Sequence, residues 1–364
     1  MCEEKKLRMS DVFILGAGFS KAVSNEMPLM KNSELSHEVF RCFEHHKKII
    51  PPEIKSRLDQ DIEKELASLV SDKSRASLYF DLISAIRGVF LSKSNDPRVW
   101  KRNSPPHWLE NLIAYWHNNH CVVISLNYDT LIECVASVGS RMRPKIPTSE
   151  LYPIRFTQVA TGIESPKVLV PTKTFKLFKL HGSINWFYSG HPDFLGEELF
   201  CVPSVEGIDR VFDSTDNANS QLLNGKCPLI VPPVPDKCAF FQHETLRSMW
   251  LQAEEALKKA DRIVCLGYSL PESDSHMIRL LQCSAPERRV QFEIADRERK
   301  DGHFSKILGK DSYEFRQEYE TEVCILRFIL HNFIQDNDDK VQVAVEIYER
   351  RKRLCASAKT TKCG

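Results

Sequence analysis

The chain has 364 residues, with 50 Lys and Arg against 49 Asp and Glu and a formal charge of +1. That balance excludes a global field that would recruit nucleic acid or an anionic membrane, so any such contact must be local. No apolar run reaches the length needed to cross a bilayer, and Met1-Cys-Glu-Glu-Lys-Lys lacks the apolar core of a leader, so a cytoplasmic protein is expected, built as one elaborated α/β domain or a domain with an insert. The twelve cysteines are scattered without a Cys-x-x-Cys pair, which is not the ligand spacing of tetrahedral zinc. No metal is expected, and Cys121 and Cys265, inside apolar runs, read as small buried hydrophobes.

The first strong signal is Asp11-Val-Phe-Ile-Leu15, a continuous apolar run ending at Gly16-Ala-Gly18 and followed by Ser20. Such a run suits a strand covered on both faces. From about 34 to 118 the sequence turns long, charged and helix-permissive, broken at Pro51-Pro52 and Pro105-Pro106, and predicts a helical insert between the first two strands. Cys121-Val-Val-Ile-Ser125 resumes the sheet, and Asn127-Tyr-Asp129 opens an amphipathic helix through Leu131, Ile132 and Val135. Residues 139–175 read as an irregular connection with one short strand at Val168-Leu-Val170, and Phe175–Leu180 leads into His181-Gly-Ser183.

Residues 189–242 carry loop-like density broken by Leu229-Ile-Val231, which predicts a lid or small lobe. Leu246, Met249, Trp250, Ala253 and Leu257 fit one face of a helix from His243 to Ala260. Arg262–Gly267 is a strand, Asp274–Gln282 a helix, and Val290–Ala295 a strand ending at Asp296. Repeated strand and helix predict a doubly wound parallel sheet of Rossmann type, spanning about 1–300. A C-terminal extension, 301–364, is expected to pack on the domain or to form an oligomer interface, with a last strand at Ile325–Leu330 and a terminal helix at Asp339–Arg353. No exposed apolar stripe stands out, and Arg350-Arg-Lys-Arg353 reads as a solvated helix end that complements its own dipole.

Small or polar residues follow several of these strands, where an open parallel sheet forms its ligand crevice. Gly16, Gly18 and Ser20 suit a tight turn whose hydroxyl and amides meet a pyrophosphate, or a turn that merely packs closely. Asn127 and Asp129 are polar ligand contacts, or caps of the helix beginning there. His181, at the crevice mouth, is an imidazole able to take a proton from a sugar hydroxyl. Gly267 and Ser269 add phosphate or ribose contacts, and Asp296 could accept from adenosine ribose hydroxyls.

Leu15-Gly-Ala-Gly-Phe-Ser20, Ser125-Leu-Asn-Tyr-Asp-Thr130, Leu180-His-Gly-Ser-Ile-Asn-Trp186 and Leu266-Gly-Tyr-Ser-Leu-Pro271 resemble, in order and spacing, the sirtuin-like domains of bacterial anti-phage NAD hydrolases, over roughly residues 10–300. The resemblance implies that NAD is the substrate, with Asn127 and His181 the catalytic pair. It makes Ala17 and Ser20 pyrophosphate contacts, Asp129 a nicotinamide-side residue, and Gly267 and Ser269 the second phosphate and ribose contact. It further implies NAD depletion in antiviral defence, restrained by homo-oligomer assembly or by a HerA-type ATPase partner. Protein-deacylating sirtuins usually place Gln where Leu126 stands and carry a four-cysteine zinc module, both absent from this sequence. The alternatives are a deacylase or ADP-ribosyltransferase, and a non-catalytic sensor of NAD or ADP-ribose.

Overall fold

The structure is a computed structural model that describes residues 10–24, 27, 33–94, 105–139, 146–154, 156–158, 173–188, 199–202, 226–231, 244–272, 274–284, 290–309, 313–318 and 323–360. In chain order its strands are β1 (Asp11–Leu15), β2 (Val122–Ser125), β3 (Thr157–Gln158), β4 (Lys176–Lys179), β5 (Gly182–Tyr188), β6 (Phe200–Cys201), β7 (Cys227–Ile230), β8 (Arg262–Leu266), β9 (Val290–Ala295) and β10 (Tyr313–Glu318). The main sheet is ordered β10-β9-β8-β1-β2-β4, and every neighbouring pair is parallel. Numbered within this sheet alone, the strands read 6-5-4-1-2-3, the doubly wound Rossmann order, which reverses direction between β1 and β8. β1 is buried along its whole length, as its apolar run requires. Its one charge, Asp11, is matched by Arg262 at 2.5 Å and by the Tyr115 hydroxyl at 2.7 Å.

Helices cover the sheet in two groups. Glu244–Lys258, Ser275–Cys283 and Asp301–Leu308 pack in series on one face, while His107–Asn119, Cys324–Asn332 and Asn337–Thr360 pack together with the short Ala17–Val23 on the other. Leu246, Met249, Trp250, Ala253 and Leu257 are the buried face of Glu244–Lys258, as their spacing predicts. The expected insert consists of Ser33–His45, Pro52–Gln60, Ile62–Ser71 and Ala76–Ser94, ahead of His107–Asn119. Ala76–Ser94 packs on a second sheet, ordered β3-β6-β5-β7. There Arg87 Nε donates to Ile184 O at 2.7 Å, and its guanidinium lies 4.8 Å from the Phe187 ring.

Several expectations change. Ile325–Leu330 is helical, within Cys324–Asn332, because Cys324, Ile325, Leu326, Phe328 and Ile329 are buried together on that helix. A six-residue apolar run is too short for its period to separate strand from helix. The last strand is instead β10, an edge strand whose exposed Glu314 and Arg316 alternate with buried Tyr313 and half-buried Phe315. Residues 182–188 form a strand, β5, buried throughout. Most of the expected lobe at 189–242, and the strand expected at Val168–Val170, lie outside the described residues.

The terminal helix runs Asn337–Thr360. Val343 and Ile347 face the core, whereas Val341, Val345 and Tyr348 are 60%, 51% and 64% exposed, so an apolar stripe does exist. Arg350 donates to the carbonyls of Lys21 and Ala22, which caps the end of Ala17–Val23 rather than stabilising its own helix as a solvated end. One turn earlier, Glu346 accepts from His107 N at 2.9 Å and Trp108 N at 3.3 Å, at the start of His107–Asn119. One helix therefore fastens the ends of two others. Burial holds the Glu346 carboxyl above its ordinary value despite those two amides. The folded state thus keeps this proton more tightly than the unfolded chain, and stability falls as pH rises from the ordinary glutamate range to the raised value. Glu346→Gln keeps an acceptor and does not titrate, so it should gain on the parent across that window. Glu346→Ala should cost about 1 kcal/mol. Thermal melts of the three proteins between about pH 4 and 7 measure both effects.

Candidate active site

Five adjacent strands, in the order β9, β8, β1, β2 and β4, end at Asp296, Gly267, Gly16, Asn127 and His181 or within two residues of them. The candidate residues therefore line one edge of the sheet, across its switch point. At that point the loops after β1 and β8 meet backbone to backbone. Gly16 N donates to Leu266 O at 3.1 Å and Gly18 N to Gly267 O at 2.8 Å. A Cβ on Gly16 would lie 2.6 Å from Gly267 O, and one on Gly267, whose φ is +63°, would lie 2.3 Å from Phe19 N. These glycines are required by packing, whichever ligand the edge takes. Of the expected pyrophosphate amides, Gly18 N is already used, and Phe19 N donates to Gly16 O at 2.9 Å. Ala17 is exposed.

Ser20 is buried, and its hydroxyl donates to Asp129 Oδ2 at 2.5 Å. Asn127 Nδ2 donates to Ser20 Oγ at 2.9 Å and to Gly16 O at 2.8 Å. The structure thus brings Ser20, Asn127 and Asp129 into one chain of hydrogen bonds. Asp129 Oδ1 accepts from Leu131 N at 3.2 Å, so Asp129 shapes the turn before the helix Leu131–Val138. Asn127 does no capping. With both amide hydrogens donated, its Oδ1 accepts no hydrogen bond among the described residues.

His181 is not hydrogen-bonded to Asn127. It is 3% exposed, deeper than the crevice mouth, between the rings of Tyr128 and Trp250 at centroid distances of 6.5 and 6.4 Å. The indole of Trp250 donates to Leu180 O at 3.2 Å and the Tyr128 hydroxyl to Val231 O at 3.0 Å. Gly182 follows with φ +80°, and a Cβ there would lie 2.1 Å from Leu229 O. His181 Nε2 lies 3.6 Å from Asp274 Oδ2. Ser269 is exposed, and Asp296 is half-buried, its Oδ1 accepting from Glu298 N at 3.0 Å. Burial pushes the Asp296 carboxyl up from its ordinary value.

Two residues escaped the sequence reading. Asp274 carried only the ordinary signal of a residue before a helix. Lys179, in β4, looked like a polar position on a strand, yet it is buried and paired with buried Glu133 at 3.2 Å. Its ammonium also donates to Asp129 O and, at 3.4 Å, to Tyr128 O, which pins the loop that presents Asn127. The Tyr152 hydroxyl donates to the other partner, Glu133 Oε1, at 2.7 Å. Burial raises the Glu133 carboxyl, against the pull of Lys179. Among the described residues, no group of three or more His, Cys, Asp or Glu could hold a metal ion.

No protein-family model matches the chain, and no curated protein matches it. Solved structures that align with it include one described as the structural basis of sirtuin substrate affinity, at 16% identity and TM-score 0.41, covering 88% of this chain and 92% of that one. Sir2 bound to an acetylated peptide aligns at 14% identity and TM-score 0.40, over 88% of this chain and 91% of that one. A Sir2 complex with a peptide and NAD+ aligns at 14% identity and TM-score 0.38, over the same shares. Values this low do not define a family, and the fold class rests on the strand order itself.

Removing one partner of a buried ion pair leaves a charge without compensation. Lys179→Met should therefore cost about 3–5 kcal/mol, read by urea unfolding. The double variant Lys179→Met, Glu133→Leu should recover a substantial part of that loss, because neither charge remains buried.

Proposed function

We propose that the chain binds NAD along the carboxyl edge of its main sheet and hydrolyses the nicotinamide–ribose bond, giving nicotinamide and ADP-ribose. The observation that carries this reading is the fixed carboxamide of Asn127. Gly16 and Ser20 take its two hydrogens, so it offers a ligand only an acceptor oxygen. Such an oxygen suits a water, a ribose hydroxyl or the positive charge that develops on the ribose as the bond breaks. The leaving nicotinamide departs as a neutral molecule, and little acid catalysis is needed. What remains is a proton from the attacking water or from a ribose hydroxyl, which His181 accepts. Ser20 and Asp129 hold Asn127 in place. Asp296, with its raised carboxyl, is the acceptor for the adenosine ribose, and Ala17, Gly267 and Ser269 line the path of the phosphates. The likeness of the four motifs to NAD hydrolases of anti-phage systems supports the same reading, with NAD depletion as its cellular purpose.

Such an activity needs restraint, and we assign that to assembly, through self-association or a HerA-type ATPase. The stripe Val341, Val345 and Tyr348 supports pairing with a second copy. In an antiparallel pair of terminal helices centred on Val345, the exposed apolar side chains of one copy meet those of the other and leave water together. Val345→Glu should then shift the protein toward monomer in sedimentation. An unchanged mass would remove this interface.

Turnover is tested by nicotinamide release from NAD without any peptide. His181→Ala and Asn127→Ala should each lower it by at least about 10²-fold per folded molecule. Asn127→Ala should also lose about 1–3 kcal/mol of stability, since Ser20 and Gly16 lose their donor. Release that begins only when an acylated peptide is added would reassign the chain as a deacylase. Stoichiometric binding of NAD without turnover would make it a sensor.

A further inference from the structure

Asp274 holds the N-cap position of the helix Ser275–Cys283, where a short carboxylate ordinarily accepts from the free amides of the first turn. Its side chain makes no such bond. Oδ2 accepts instead from the Tyr268 hydroxyl at 2.9 Å and lies 3.6 Å from His181 Nε2. Asp274, Tyr268 and His181 are 1%, 6% and 3% exposed, so the contacts lie out of water, where charge and hydrogen bonding act strongly. Burial and the neighbouring carboxylate hold the Tyr268 phenol well above its ordinary value, which keeps it a donor to Asp274. The intervening loop is held in an unusual shape. Leu270 has φ +50°, in the left-handed region, and its carbonyl lies 2.8 Å from His303 Nε2. The residue at the N-cap position thus turns its carboxylate to the phenol and the imidazole instead of to its own helix.

We propose that Asp274 is a positioning residue for His181, with Tyr268 fixing the carboxylate in turn. Asp274 retains the tautomer protonated at Nε2, so that the Nδ1 lone pair is the base. The inference rests on the reading of His181 as proton acceptor. In the hydrolysis, the water oxygen bonds to ribose C1′, and the C1′–N bond breaks with its electron pair passing to the nicotinamide nitrogen. The water proton goes to Nδ1, and the resulting imidazolium faces the Asp274 carboxylate until it returns the proton to solvent.

The test is a two-bond proton–nitrogen spectrum of the full chain labelled with 15N-histidine, the His181 signals being assigned by their loss in His181→Ala, together with steady-state kinetics. The parent should show His181 protonated at Nε2. Asp274→Asn, which can present an N–H to Nε2, should move the proton to Nδ1 and lower kcat by about 10²–10⁴-fold while leaving KM nearly unchanged. Asp274→Glu should restore part of the rate. Tyr268→Phe removes one hydrogen bond to the carboxylate and serves where Asp274→Asn does not fold. It should mix the two tautomers and lower kcat by about tenfold. A parent protonated at Nδ1, or a folded Asp274→Asn or Tyr268→Phe protein with the parent tautomer and parent kcat, overturns the proposal. Should the parent fail to turn over NAD, the hydrolase reading falls, and the His181 tautomer in parent and variants still decides whether Asp274 sets it.

Discussion

The rest of the site depends on how closely the loops after β1 and β8 approach. Gly18 N reaches Gly267 O at 2.8 Å, with no room for a side chain on Gly16, Gly18 or Gly267. That approach brings the first turn of Ala17–Val23 down against the switch point and sets the height of Ser20. Ser20 then meets Asp129 and Asn127, and Asn127 reaches back to Gly16 O. A glycine pattern that resembles a phosphate cradle is thus also the condition for a network of side chains.

Around that junction the protein buries charge rather than avoiding it. Lys179 and Glu133 lie beneath the Asn127 loop, and Asp274 lies beside His181. Each carboxylate is tied to a tyrosine, Glu133 to Tyr152 and Asp274 to Tyr268. Phenols raised by burial stay protonated and supply donors that do not titrate near neutrality. One assembly fixes a loop backbone and the other lies beside a ring.

Much of the architecture was legible because it rests on local pattern. Continuous apolar runs revealed β1, β2 and β8, alternation with Gln291 and Glu293 still left β9 readable as a strand, and helical spacing gave the buried face of Glu244–Lys258. Where pattern and packing diverge, the reading failed. Ile325–Leu330 has the composition of a strand but sits on a helix, and β10 alternates over six residues too polar to draw notice. The strand ends were found, since a residue after an apolar run is marked by its neighbours. Asp274 and Lys179 were not, because His181 and Glu133, which they meet in the fold, are far from them in sequence. The diversion of Asp274 from its cap, and the arrival of Arg350 at the carbonyls of Lys21 and Ala22, are tertiary facts.

The central place of β1 has a consequence for the chain as it emerges from the ribosome. Its partner on one side, β8, is distant, and Asp11 and Arg262 are separated by 251 positions. At roughly 5–20 residues per second, synthesis of that interval takes on the order of 12–50 s. Throughout it, the most apolar strand near the N-terminus has an unmatched edge. Contacts of such long range also slow folding itself. The nascent protein therefore passes through a prolonged stage in which it is a natural client for chaperones, and in which the junction of Gly18 with Gly267 cannot yet exist. Whatever chemistry the edge performs is withheld until translation has passed β8.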